Sequence, residues 1–136
     1  MNKTFTINEA PYSVPCLLYQ NERTKAARVV VCCHGFGGHK DAGLLKMISD
    51  DLEAKGIASI RFDFNGHGES EGDFQNMTVL NEIEDAKKVY EHVRGLSYVG
   101  DIALCGHSQG GLLVMLIAGM CPNKFKAIIP LSPAWC

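Results

Sequence analysis

Polar and apolar residues alternate over Thr4-Phe5-Thr6-Ile7 and over part of Val14 to Tyr19, with turn-forming residues from Asn8 to Pro11 between them. A period of two is the strand period, so the chain opens with a predicted antiparallel hairpin. Val29 to Cys33 is an unbroken β-favouring apolar run, the pattern of a central strand covered on both faces. Leu44, Leu45, Ile48 and Leu52 recur at helical spacing within Leu44 to Lys55, and Gly56 supplies a stop. Ala58 to Phe64 predicts the next strand, followed by a glycine- and acid-rich loop from Asn65 to Gln75. A long helix then carries Leu80, Ile83, Ala86, Tyr90 and Val93 on one stripe. Asn81 with Glu84 three residues on suits a capping box, and Thr78 is the alternative cap. Ile102 to Cys105 predicts a strand, Leu112 to Met120 an apolar helix, and Ala127 to Leu131 a further buried-type strand.

Strands alternating with helices predict one α/β domain over residues 1–136, with a doubly wound, mostly parallel sheet. The last strand has the composition of an interior strand, yet no helix-patterned segment follows it before Cys136. An uncovered apolar edge is an aggregation liability. The expectation is therefore the front part of a larger domain, truncated after about the sixth strand and without a cap domain. The alternative is a minimal domain closed by dimerisation. Either way, self-association through the exposed last strand is expected.

Composition narrows the partners. A net charge of −2 with scattered Lys and Arg gives no polyanion-binding patch, so no nucleic acid is expected. Lys87-Lys88 share their helix with Glu82, Glu84, Asp85 and Glu91, which reads as a solvated face. The six cysteines do not read as a disulfide framework. Cys32 and Cys33 are adjacent in a strand and face opposite sides, Cys105 lies in another buried strand, and no Cys/His spacing suits zinc. Free buried thiols, a polar N-terminus and the absence of a long apolar run point to a cytoplasmic location, with no membrane partner and no metal or other cofactor.

The chemistry lies in Gly106-His107-Ser108-Gln109-Gly110, set between a predicted strand and a predicted helix. G-x-S-x-G in that context is a nucleophile elbow. The turn is so tight that the residues two before and two after the serine nearly touch, so neither tolerates a side chain. Ser108 is the candidate nucleophile, and the helix behind it aims free N–H groups at the same spot. The Gln109 N–H is one candidate oxyanion donor. The second comes from His34-Gly35-Phe36-Gly37-Gly38, after the central strand, as the Phe36 N–H, with the Phe36 ring walling the acyl pocket.

Together with Asp63-Phe64-Asn65-Gly66-His67-Gly68-Glu69-Ser70, these motifs resemble those of the α/β-hydrolases. Arg61 to Gly68 and Met77-Thr78-Val79-Leu80-Asn81-Glu82 are similar to bacterial feruloyl/cinnamoyl esterases. The resemblance covers nearly all of this chain but about the first half of such an enzyme. It implies a serine carboxylic-ester hydrolase acting on a small-molecule ester, best guessed as an aromatic one, through an acyl-enzyme at Ser108.

One departure is plain. That family's acid and histidine follow the serine, whereas no Asp, Glu or His follows Ser108 here. His107 adjoins the nucleophile and cannot easily turn back on it. His34 and His67 read as structural, and His39 and His92 as surface residues. The expected base and acid therefore lie outside this sequence. Two alternatives stand: another activity of the fold (thioesterase, peptidase, perhydrolase), or a non-catalytic remnant.

Overall fold

The computed structural model describes residues 2–8, 13–19 and 27–134. The hairpin strands form as β1 (Asn2–Asn8) and β2 (Ser13–Tyr19), paired antiparallel from Asn2↔Tyr19 to Asn8↔Ser13. The turn expected between them falls at residues 9–12, outside the described residues, as does Cys136. There follow β3 (Ala27–Cys33), α1 (Gly43–Ala54), β4 (Ala58–Phe62), α2 (Val79–Arg94), β5 (Val99–His107), α3 (Gln109–Met120) and β6 (Ala127–Leu131). The sheet order is β1-β2-β4-β3-β5-β6. β2 pairs antiparallel with β4, and β4, β3, β5 and β6 run parallel to one another.

Alternation along β3 divides the core. Val29, Val31 and Cys33 face α2 and α3, packing with Ile83, Val89, Val93, Leu113 and Ile117. Val30 and Cys32 face the other way, with Cys105 of β5 and Leu45 of α1. The adjacent cysteines thus point to opposite faces, as expected. Helices on both faces make the sheet doubly wound. From β3 the chain turns one way to β4, then crosses back to β5 on the opposite side of β3. Such a reversal opens a crevice at the C-terminal ends of the strands involved. There the loop after β3 and the turn after β5 lie side by side.

Two predicted core positions fall on the surface. Leu44 is exposed at the start of α1, where Leu45 and Ser49 take the buried stripe. Ser49 Oγ accepts from the Ser59 hydroxyl at 2.9 Å, tying α1 to β4. Leu80 is 74% exposed, because α2 begins at Val79 and turns that residue inward instead. The cap of α2 is Thr78: its Oγ1 accepts from Asn81 N–H at 3.1 Å, and Asn81 Oδ1 accepts from Thr78 N–H at 2.8 Å. The capping box is therefore Thr78/Asn81, one turn earlier than Asn81/Glu84. No helix among the described residues is long and apolar enough to cross a membrane.

Cap and exposure make opposite predictions for neighbouring residues. Thr78→Ala should cost about 1 kcal/mol of unfolding free energy in urea titrations. Leu80→Gln should change it by less than about 0.5 kcal/mol, as for other exposed sites. Equal losses would mean that the α2 start has been placed in the wrong register.

Candidate active site

The tight turn at Ser108, between β5 and α3, forms through steric need. A Cβ added at Gly106 would lie 2.1 Å from the Gly110 carbonyl oxygen, and one added at Gly110 would lie 2.3 Å from that of Cys33. Both glycines are thus required by close backbone approach. Between them Ser108 adopts φ 56, ψ −117, a conformation that costs a non-glycine residue of order 1–3 kcal/mol. Its backbone is held there from β6: Ser108 N–H donates to the Leu131 carbonyl at 3.0 Å, and Ala134 N–H donates to the Ser108 carbonyl at 2.9 Å. Gln109 is the first residue of α3, so its N–H has no acceptor within the helix.

The loop after β3 lies against the serine. A Cβ on Gly35 would fall 3.2 Å from Ser108 Cβ and 3.8 Å from its Oγ. Gly37 N–H donates to His67 Nε2 at 3.1 Å, and Gly38 N–H to the Gly35 carbonyl at 3.0 Å. The Phe36 N–H has no partner among the described residues. The loop from His34 to Gly38, the start of α1 at Leu44 and Leu45, and His107 and Ser108 line a cavity of about 260 Å³. The Phe36 ring is 63% exposed at its rim and packs on Phe74, with centroids 4.9 Å apart. A larger hollow of about 430 Å³ beside Lys40 and Glu69 touches neither the serine nor the loop motif. Chemistry, not size, picks the site.

Both buried histidines are occupied in holding this loop. Phe64 N–H donates to His34 Nε2 at 3.1 Å, so His34 Nδ1 carries the proton and donates to the Gly35 carbonyl at 2.8 Å. Burial pushes the His34 pKa down to about 4, keeping the ring neutral. His67 accepts from Gly37 at Nε2 and donates from Nδ1 to the Asn65 carbonyl at 3.0 Å. With both nitrogens of each ring engaged, neither is placed to take the Ser108 proton. His39 and His92 are exposed, as expected. His107 lines the cavity beside Ser108.

Beneath the loop lies a polar knot that sequence patterning did not reveal. Asp63, fully buried, accepts from Lys40 N–H at 2.6 Å, Lys40 Nζ at 3.2 Å and Glu69 N–H at 2.9 Å. Burial pulls the Lys40 pKa down, but Asp63, Asp41 and Glu69 outweigh it and the ammonium ends above its ordinary value. Gly68 is required here because a Cβ would sit 2.4 Å from the Asp63 carboxylate. Asn65 donates from its N–H and its Nδ2 to Asp85 Oδ2, at 2.7 and 2.8 Å.

The helix face of Glu82, Glu84, Asp85 and Glu91 is therefore not uniformly solvated. Glu84 and Glu91 are exposed, but Glu82 and Asp85 are each 1% exposed. Glu82 Oε1 accepts a hydrogen bond from Gln109 Nε2, across the gap between α2 and α3. Burial pushes the Glu82 carboxyl up to about 7, the Gln109 bond opposing the rise and Asp85 adding to it. The available signal was positional: Glu82 and Asp85 share the buried face of Ile83, Ala86 and Val89, each one residue before a member of that stripe.

Two predictions follow from these buried charges. Asp63→Ala leaves the Lys40 ammonium only the exposed Asp41 and Glu69 carboxylates and orphans the Lys40 and Glu69 N–H groups, and should cost about 3–5 kcal/mol by urea unfolding; a loss under about 1 kcal/mol would show that the knot is solvated. Glu82 has its folded pKa raised above the unfolded value, so its contribution is full below the ordinary carboxylate range and lost as pH rises through about 7. Glu82→Gln should therefore gain on the wild type between pH 5 and pH 8, by up to about 3 kcal/mol. Parallel pH–stability curves for the two proteins would refute it.

The comparisons agree with this geometry. The family model for serine aminopeptidase, S33 (Hydrolase_4), matches residues 24–135. Mouse monoglyceride lipase is 30% identical over 126 residues, covering 87% of this chain and 38% of its own length. A monoglyceride lipase homolog of monkeypox virus is 30% identical over 118 residues, covering 85% of this chain and 41% of its own. Among solved structures, Est1E from Butyrivibrio proteoclasticus with ferulic acid bound superposes with a TM-score of 0.91 at 33% identity, covering 95% of this chain and 52% of Est1E. The chain spans about half of that structure and about two fifths of the curated relatives it matches. With residues 24–135 matched and the doubly wound sheet in place, the chain belongs to the serine aminopeptidase S33 family of α/β-hydrolases.

Proposed function

We propose that this chain carries the nucleophile and oxyanion half of a serine carboxylic-ester hydrolase. Ser108 attacks the ester carbonyl, the Phe36 and Gln109 N–H groups hold the oxyanion, and water releases the acid from the acyl-enzyme. The observation that carries this reading is the Ser108 backbone, φ 56 and ψ −117, with Gly35 pressed against its side chain. Strain of that kind persists only where the surrounding structure imposes it. The base and acid are assigned to residues absent from these 136. We further propose aromatic, cinnamoyl-type esters as substrates. The Phe36–Phe74 ring pair at the cavity rim and the likeness to Est1E with ferulic acid support that choice. Long-chain monoacylglycerols are the competing class, on the likeness to monoglyceride lipases. Buried free thiols at Cys16, Cys32, Cys33 and Cys105 suit a reducing, cytoplasmic setting.

A non-catalytic role is the second reading, favoured by the engagement of both His34 and His67 in the loop. One experiment separates the two. Residues 1–133 fused to the unmatched remainder of Est1E should hydrolyse methyl cinnamate faster than a monoacylglycerol, and Ser108→Ala should abolish turnover. Phe36→Pro, which deletes the proposed donor N–H, should cost about 10²–10³ in kcat, whereas Phe36→Ala should mainly alter acyl preference. The 136-residue chain alone should hydrolyse cinnamate no faster than its own Ser108→Ala variant, since an unactivated serine is a poor nucleophile. A folded chimera without turnover would favour the non-catalytic reading. Normal turnover with Phe36→Pro would remove Phe36 as a donor.

A further inference from the structure

The buried acid of α2 reaches the proposed oxyanion site from below. Glu82 lies in the first turn of α2, and its Oε1 takes the side-chain amide of Gln109, whose own backbone N–H is one proposed donor. The same two turns of α2 also hold the other donor's loop. Asn81 Oδ1 and Asp85 Oδ2 accept from Asn65 at 3.0, 2.7 and 2.8 Å. The Asn65 carbonyl accepts a hydrogen bond from His67 Nδ1 at 3.0 Å, and His67 Nε2 accepts one from the Gly37 N–H, next in sequence to Phe36. One rigid piece of helix is thus bonded to both segments that carry a proposed donor, to α3 directly and to the glycine loop through Asn65 and His67.

Resting on the esterase reading, we propose that Glu82 is a positioning residue: by anchoring the Gln109 side chain to α2, it sets the Gln109 N–H in register with the Phe36 N–H. Shifts well below the size of an atom matter here. An oxyanion donor acts only when it lies within hydrogen-bond distance of where the charge develops. A loose α3 start would weaken transition-state binding and leave ground-state binding intact. The groups facing Glu82 fit an anchor better than an acid–base role: the Gln109 amide from α3, Asp85 from its own helix and the Cys33 thiol from β3. Among these none is a cation. A carboxyl raised toward neutrality by burial also places less negative charge beneath the forming oxyanion.

The test has two arms, both in the whole protein as its gene encodes it. In ¹H–¹⁵N spectra the Gln109 backbone amide should shift with a midpoint near pH 7 in the wild type and stay flat in Glu82→Gln. An amide that does not move, or that moves equally in the variant, overturns the proposal. With methyl cinnamate as probe, Glu82→Ala should lower kcat about tenfold or more with KM within about twofold, and weaken a trifluoromethyl ketone inhibitor in parallel. Glu82→Gln, which keeps the acceptor, should restore kcat to within about threefold of wild type. Unchanged kcat in a folded Glu82→Ala protein, or a fall shared equally with KM, overturns the proposal. Lack of all wild-type turnover counts against the esterase reading instead, and the Gln109 amide then decides the role of Glu82.

Discussion

The contact on which this architecture turns is the near-collision of Gly106 with Gly110. With no room for a methyl group between them, β5 and α3 join through a single strained residue, and that residue is the serine. Once the turn closes, Gly110 packs on the carbonyls of Cys33 and His34, which fixes α3 against the end of β3. The loop after β3 has then to pass close over Ser108, where a Cβ at position 35 would lie 3.2 Å from both the His107 carbonyl oxygen and Ser108 Cβ, tighter than ordinary packing. Strand spacing, loop path and the presentation of Ser108 all follow from one close approach of backbone to backbone.

Glycine can supply closeness but not rigidity. The loop from Gly35 to Gly38 has few side chains of its own to lock it, so the locking groups come from His34 at its start and from the turn after β4. His34 and His67 each use both ring nitrogens on backbone groups, and Asp63 gathers two N–H groups and an ammonium from the neighbouring loops. These are buried polar groups, and each would be costly if left without partners. Their full engagement makes the arrangement cooperative: releasing one orphans the next. A histidine serving this network is withdrawn from proton transfer, so the structural and catalytic duties of histidine are exclusive here.

Much of this was legible in the sequence because it rests on local pattern. Val29 to Cys33, Ala127 to Leu131 and the G-x-S-x-G turn announce themselves by composition and spacing, and the approach of the loop after β3 to Ser108 follows from the strand order. What patterning misses is burial of charge. Glu82 and Asp85 look like their solvated neighbours Glu84 and Glu91, since a helical wheel records angle and not what stands opposite. Their partners, Gln109 and Asn65, are 27 and 20 residues away. Leu80 shows the converse error. Its hydrophobicity suggests a core position, but the capping box at Thr78 fixes the helix phase and turns it to solvent.

The division of labour along the chain follows from the same physics. An oxyanion site demands fixed dipoles that do not reorganise as charge appears, and fixed dipoles come from backbone that is packed, capped and cross-tied. For the oxyanion site proposed above, that means the ends of β3 and β5, the start of α3 and the first turns of α2. A general base has a different requirement. It must exchange a proton with the serine and then with the leaving group, so it needs a free nitrogen and room to reorient. The rings of His34 and His67 meet the first requirement for the loop and so fail the second. On the proposed reading, a scaffold this thoroughly bonded around its two candidate donors is suited to receive a base from another element.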